Sequence, residues 1–308
     1  MLKHPLKITL ILIAMFLLTQ FIGLYVSNYY LTEKVPFGIN PESPETSRQF
    51  NSLFISIVIA FIIAIALIFF LMNFKIAFFI KIWFLFVVSI GLGISFNSFL
   101  PFTPIIALII AVPLAFLKVF YRNFFIHNIT ELFIYPGIAS VFIPLLNFYT
   151  LIFLLILISV YDMWAVWKSG IMQKMAKYQI KKVGIFAGFF VPHLSKKQKL
   201  SLKKSKSKKV KVNVAILGGG DIVFPIIAAG VILKVFGFAN IFGYNIPLAS
   251  ILVILGALLG ISYLFFTSEK KKFYPAMPFI TAGIFLGIII SYVIYKILGI
   301  SIILGSIF

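Results

Sequence analysis

Cysteine is absent from this chain of 308 residues, which removes disulfides, thiolate catalysis and cysteine-bound zinc and leaves the redox compartment undetermined. Charge is also scarce. Only 11% of residues are charged while 62% are hydrophobic, too little polar surface to clothe a soluble globule of this size. The composition therefore specifies an all-α, polytopic membrane protein. Acidic residues are rarer still: seven in all, of which only Asp162 and Asp221 are aspartates. Each lies in a strongly apolar stretch. A carboxylate at the centre of a transmembrane helix costs about 2.5–3.5 kcal/mol on insertion scales, so such residues usually mark an ion path, a proton relay or a catalytic site. The pair reads as a two-carboxylate active site.

The opposite sign is abundant. A formal charge of +20 would suit a nucleic-acid binder, but the charge is concentrated in Lys174, Lys177, Lys181, Lys182 and a run from Lys196 to Lys211, one polar interval between apolar segments. No aromatic-interleaved basic motif accompanies it, so no nucleic-acid partner is expected; the interval reads as a cytoplasmic loop beside anionic membrane lipids. Lys3, His4 and Lys7 precede an apolar run from Ile8 to Val26. That run is too long for a signal-peptide core and shows no small-residue cleavage site, so it reads as the first span.

A hydrocarbon core needs about 20 apolar residues of helix. Nine windows qualify, at 7–28, 52–73, 76–95, 99–117, 124–146, 148–168, 213–236, 246–266 and 276–303. Tight connections make helical hairpins of spans three and four and of spans five and six. With a cytoplasmic amino terminus, the inner segments carry Lys3 and Lys7, then Lys75, then Lys118 and Arg122, then the lysine-rich loop, then Lys270 to Lys272. All five are basic, as the positive-inside rule requires, and the carboxyl terminus falls outside. The chain thus divides into spans one to six (1–168), a basic cytoplasmic loop (169–212) and spans seven to nine (213–308). No internal repeat is evident, and the Lys/Ser stretch from Ser195 to Lys209 cannot bury apolar surface.

Asp162 lies about six residues from the inner end of span six, roughly 9 Å of helix rise, and Asp221 about eight residues into span seven, roughly 12 Å. Both carboxylates are expected at similar depth near the cytoplasmic face. Brought close, they cannot both ionise cheaply, so the pair shares a proton and titrates as a unit. A water between them could then hydrolyse an amide with neither metal nor cofactor. Gly218, Gly219 and Gly220 precede Asp221, and each costs a plain helix about 0.8–1 kcal/mol relative to alanine; they admit close backbone approach. A phosphate cradle would need a further Gly or Gly-Lys-Ser/Thr that Gly-Gly-Gly-Asp-Ile-Val-Phe-Pro lacks. Tyr274-Pro275-Ala276-Met277-Pro278 holds an extended backbone before span nine. Val210, Val212 and Val214 alternate with Lys211 and Asn213, the period of a short strand before span seven or, equally, a fraying helix end.

In order and placement, Tyr161-Asp162, Gly218-Gly219-Gly220-Asp221 and Pro275-Ala276-Met277 resemble the YD, GxGD and PAL motifs of presenilins and signal peptide peptidases. The likeness covers the whole nine-span plan, and the chain's size is similar to that of a microbial presenilin homologue in a prokaryotic cell membrane. The resemblance implies an intramembrane aspartyl protease with Asp162 and Asp221 as its catalytic pair. It implies that Tyr161 packs beside the first aspartate and that Gly218 and Gly220 are the motif glycines. Pro275, Ala276 and Met277 would shape the site and admit substrate. Met277 departs from the usual leucine, a swap of similar volume. The lysine pattern favours the presenilin direction over the inverted one of signal peptide peptidases. Implied partners are single transmembrane helices, whose unwound segment could add as a strand along Val212 and Val214.

His127, Asn128 and Glu131 share helical spacing in span five and read as a buried polar network, with too few ligands for a metal site. Lys81 and Lys234 are expected to reach toward the interface or water. Gly256 with Gly260 and Gly283 with Gly287 have the spacing of close helix contacts. The rivals are a prepilin-peptidase-like enzyme, a secondary transporter or cation leak channel, and a non-catalytic scaffold. The first lacks the Tyr-Asp and Pro-Ala-Met placements, the second would show paired broken helices in corresponding halves, and retention of both aspartates argues against the third.

Overall fold

The computed structural model describes residues 5–39, 44, 46–73, 77–100, 103–121, 123–170, 184–193, 213–241, 243–269 and 273–299. Val210, Val212, Arg122, Lys270 to Lys272 and the lysine run from 196 lie outside them. Among the described residues there are nine α-helices: α1 (Leu6–Thr32), α2 (Ser47–Asn73), α3 (Ala77–Phe99), α4 (Pro104–Phe120), α5 (Phe124–Phe142), α6 (Phe148–Met163), α7 (Gly220–Phe236), α8 (Leu248–Thr267) and α9 (Met277–Ile297). Two short antiparallel hairpins accompany them, β1 (Gly188–His193) with β2 (Asn213–Gly218), and β3 (Ala239–Ile241) with β4 (Tyr244–Ile246).

The sequence sorts between inside and outside as it does in a bilayer. Along α1, Thr9, Thr19, Gln20 and Ser27 are buried while Leu10, Leu18, Phe21 and Tyr25 are exposed. Ile105, Phe153, Leu259 and Ile289 also face outward from their helices. So much exposed apolar surface is costly in water and costs nothing against lipid tails. Among the described residues six helices are long and apolar enough to cross a membrane: α1, α3, α5 with its 3₁₀ extension, α6 with its π extension, α8 and α9. α4 and α7 are shorter, at 17 residues each, or about 25 Å of rise.

α7 is apolar all round, and that is why it occupies the centre. Ile222, Ile226, Ala228, Ala229, Val231 and Ile232 are fully enclosed, and the helix packs on α1, α5, α6, α8 and α9. The expected α5–α6 hairpin does not form as such. A 3₁₀ turn (Ile143–Leu145) lets the two helices diverge, and both pack on α7. α3 and α4 do pair, closing with α5 over Val88, Leu92, Ala111, Ala115 and Ile134. α8 and α9 pack most closely, with backbone against backbone: a Cβ on Gly256 would collide with the Gly283 carbonyl, and one on Gly260 with the Phe279 carbonyl.

Three further expectations need correction. Residues 213–218 are strand, so the seventh helix starts at Gly220 rather than near Asn213. The Val/Asn/Ala/Ile/Leu run alternates faces, with Ala215 and Leu217 buried and Val214 and Ile216 exposed, and this period of two outweighs its apolar content. Residues 188–193 of the expected polar loop form the partner strand, pairing Phe190 with Ile216 and Pro192 with Val214. Lys234 is half-buried: its Nζ donates to the Pro144 carbonyl at 3.3 Å and lies 5.4 Å from the Phe50 ring centre.

Candidate active site

α6 opens on a capping box, in which the Asn147 side chain accepts from the Thr150 N–H and the Thr150 hydroxyl takes the Asn147 N–H. It closes in a π-helical turn over Trp164–Lys168, which begins two residues after Asp162. Such turns widen a helix and recur at functional sites. Tyr161 packs its ring against Trp164, 6.3 Å between centres. Asp162 is 6% exposed, and its Oδ2 accepts the Met277 N–H at 3.0 Å; the Ala276 backbone adds a second hydrogen bond. Ala276 is the N-cap of α9, Met277 its first residue and Pro278, which has no N–H, its second. The carboxylate therefore takes one of the donors that a helix start leaves free, where its charge also suits the helix dipole. One turn along, Ser159 Oγ donates to Thr281 Oγ1 at 2.8 Å. Pro275, Ala276 and Met277 thus set where α9 begins, and that start meets the first aspartate.

Asp221 is the second residue of α7 and is 8% exposed. The Gly218 backbone hydrogen-bonds its carboxylate, again at a helix start. A Cβ on Gly218 would lie 3.2 Å from Asp221 Oδ2. The middle glycine is the most confined: a Cβ on Gly219 would sit 2.6 Å from Tyr135 Oη and 2.8 Å from its Cε1. Gly220 would meet nothing closer than 3.8 Å. Space therefore constrains Gly218 and Gly219 more than Gly220. Four residues on, Pro225 cannot donate to the Asp221 carbonyl, which loosens the first turn. Asp162 and Asp221 interact electrostatically, so α6 and α7 bring the chain's only two aspartates together.

The β1–β2 hairpin runs directly into Gly219, whose N–H donates to the Ala187 carbonyl at 3.2 Å. The outer edge of β1 is closed by α5. Asn128 Nδ2 donates to the Phe190 carbonyl at 3.0 Å, and its Oδ1 accepts the Phe190 N–H at 3.2 Å, so the amide stands in for a neighbouring strand. His127 Nε2 lies 2.8 Å from the Gly188 carbonyl and so carries the ring proton. Since Phe190 turns its N–H and C=O away from β2, its partner Ile216 turns its own away from β1. Val214, two residues back, does the same. Among the described residues no strand pairs with this edge of β2, which their backbone groups line. Val212 lies outside the described residues.

Behind the hairpin, Lys118 forms a buried ion pair with Glu131, each side chain 1% exposed, and its Nζ lies 3.3 Å from His127 Nδ1. Spacing alone suggested the network of His127, Asn128 and Glu131. Lys118 was expected as a cytoplasmic surface charge, but it is consumed by this pair and adds nothing to the orientation argument. A cavity of about 240 Å³ lies here between Lys118, His127, Phe190, Val214 and Ile216. Sequence reasoning missed two polar groups near the dyad. Gln20, whose Nε2 donates to the Ile222 carbonyl at 3.1 Å, was signalled by its place within an apolar span. Tyr135 carried no such signal.

Comparison with known proteins gives two results. The sequence model of a family described as signal-peptide peptidase, presenilin aspartyl protease matches residues 13–297. Two solved structures described as a presenilin family intramembrane aspartate protease superpose on the chain. The C222 crystal form has TM-score 0.62 and 19% identity, covering 93% of this chain and 99% of that one. The P2 form has TM-score 0.58 and 19% identity, covering 94% and 97%. At that identity they show a shared fold. No curated protein sequence matches the chain.

Proposed function

This chain belongs to the signal-peptide peptidase, presenilin aspartyl protease family, and from that premise we propose that it hydrolyses peptide bonds within membrane-spanning segments, using Asp162, Asp221 and a water between them. The observation that carries the reading is the meeting of the only two aspartates, buried, at the facing ends of α6 and α7. With one proton shared by the pair, the ionised carboxylate takes a proton from water as its oxygen attacks the scissile carbonyl carbon. The neutral carboxyl gives its proton to the carbonyl oxygen. In the second step the C–N bond breaks, the leaving nitrogen takes the proton of the neutral carboxyl, and a hydroxyl of the diol gives its proton to the ionised carboxylate as the new carboxyl group forms, so the dyad returns to its starting state. The mechanism requires no metal or cofactor.

Substrate is a transmembrane helix, and its backbone must leave the helix before a bond is exposed. The open edge of β2 at Val214 and Ile216 offers replacement hydrogen bonds to an unwound segment; the edge of β1 is already occupied. Pro275, Ala276 and Met277 hold α9 in register with Asp162. The protein is an integral membrane protein. We place its amino terminus and the segment between α6 and α7 in the cytoplasm and its carboxyl terminus outside, as the lysines other than Lys118 indicate.

The test is cleavage of a labelled single-span substrate by purified protein in detergent, beside Asp162→Ala and Asp221→Ala. Loss of cleavage in each variant is expected. Cleavage that survives in either refutes the two-aspartate mechanism.

A further inference from the structure

Gln20 is the only amide side chain in the apolar run from Ile8 to Val26 of α1, and it is fully buried. Its Nε2 donates to the Ile222 carbonyl at 3.1 Å. Its Oε1 is enclosed and has no partner among the described residues. Burying an amide that is only half satisfied costs free energy, and methionine would fill nearly the same volume without that cost. Packing therefore does not account for the amide, whereas its donor has a definite target.

That target is the residue immediately after Asp221. α1 and α7 run side by side in the same direction, since their contacts step together: Gln20 meets Ile222, Gly23 meets Ile226 and Ser27 meets Gly230. A Cβ on Gly23 would lie 2.5 Å from Ile226 Cγ2, so the two helices are close one turn beyond the amide. The first turn of α7 is weakened from within, because Pro225 leaves the Asp221 carbonyl without its usual helical donor. The Asp162 carboxylate is tied directly to the start of α9, and the Asp221 turn is tied from behind, through its backbone, to α1.

We propose that Gln20 is a positioning residue of the active site: its amide N–H holds the carbonyl next to Asp221 against α1 and so fixes where the Asp221 carboxylate stands opposite Asp162. The proposal rests on the two-aspartate reading above. Gln20 itself touches neither substrate nor the attacking water. Misplacing a reacting group slows the chemical step more than it weakens the binding of a long substrate helix, so loss of the amide should appear in kcat rather than in KM.

The experiment compares wild type, Gln20→Met, Gly230→Ala and Asp221→Ala, as full-length protein in detergent with a labelled single-span substrate, measuring kcat, KM and the thermal unfolding midpoint. Gly230→Ala disturbs the same seam between α1 and α7, nine residues past Asp221, or about 13 Å along the helix. Its Cβ would lie 2.2 Å from Ile143 Cδ1 and 3.2 Å from Ser27 Oγ, both at the ends of side chains that can shift. The expected result for Gln20→Met is a fall in kcat of about threefold to tenfold, the worth of one hydrogen bond, with KM within about twofold. Gly230→Ala should lower the midpoint and leave kcat within about twofold. Unchanged kcat in Gln20→Met, or a change in KM as large as that in kcat, overturns the proposal. A fall in kcat for Gly230→Ala as large as that for Gln20→Met also overturns it, since activity then follows the stability of the seam and not the amide. Asp221→Ala separates this from the underlying reading: if that variant still cleaves, the two-aspartate mechanism fails first.

Discussion

Replacing Lys118 with methionine should destabilise the protein far more than replacing Lys118 and Glu131 together. Both side chains of the pair are 1% exposed, so neither charge has water to fall back on. Removing one partner strands the other in a low-dielectric interior, at a cost of about 3–5 kcal/mol, whereas apolar replacement of both is often neutral or stabilising. The prediction for Lys118→Met is a loss near that range. Lys118→Met/Glu131→Leu should recover most of it, a coupling of at least about 2 kcal/mol between the positions. His127 sharpens the expectation. Its Nδ1 faces the same ammonium and its Nε2 holds the Gly188 carbonyl, so the single variant should also loosen the hairpin. Equilibrium unfolding of the detergent-solubilised protein measures the first effect, and amide exchange at Phe189 and Phe190 the second. If the single variants are as stable as wild type, or the double variant is as unstable as either single one, the ion pair is not what holds this end of the bundle.

Four further outcomes follow from the geometry. Gly219→Ala puts a methyl against a rigid, buried ring, costing about 1–3 kcal/mol, and a smaller residue at position 135 should restore its stability; unfolding midpoints of the single and double variants decide this. Ile216→Pro removes an N–H from the open edge of β2 while sparing the bonds to β1, so substrate binding should weaken sharply with the unfolding midpoint nearly kept, while Leu217→Pro should disrupt the hairpin itself; equal effects in both would refute substrate pairing at that edge. Asn128→Ala leaves the Phe190 N–H and carbonyl unmatched, a loss of about 1–3 kcal/mol in unfolding free energy. Met277→Leu keeps the N–H on Asp162 and nearly the same volume, so stability should change by less than about 1.5 kcal/mol and cleavage should persist.

What the sequence disclosed followed from rarity and what it hid followed from proximity. Asp162 and Asp221 stand out because a carboxylate in an apolar run is expensive; counting along the helix suits Asp162, but the count to Asp221 ran through residues 213–218, which are strand, and Asp221 is the second residue of α7. The Pro275-Ala276-Met277 segment could be placed near them, but its physical task could not: only the structure shows that a helix start there donates to Asp162. Strand β1 was invisible because its sequence, Gly-Phe-Phe-Val-Pro-His, sits inside a lysine-rich interval and is stabilised by α5, about 60 residues earlier in the chain. The helix expected at 213–218 failed for the same reason, since an apolar run of six residues fits either state until a partner strand decides it. Lys118 was misplaced because a lysine at a helix end reads as a surface charge, and Glu131 is what draws it inward.

The hydrogen bond between the first residue of α9 and Asp162, with the Ser159–Thr281 bond one turn along, makes two adjacent fastenings out of one helix boundary. Any displacement that swings the start of α9 away from α6 to admit a substrate must break them. An open enzyme is then a disarmed one, with Asp162 released from its backbone donors until the helix returns. Under the mechanism proposed above, in a membrane crowded with neighbouring helices, such an interlock would spare whatever drifts past and commit the water to attack only after α9 has returned.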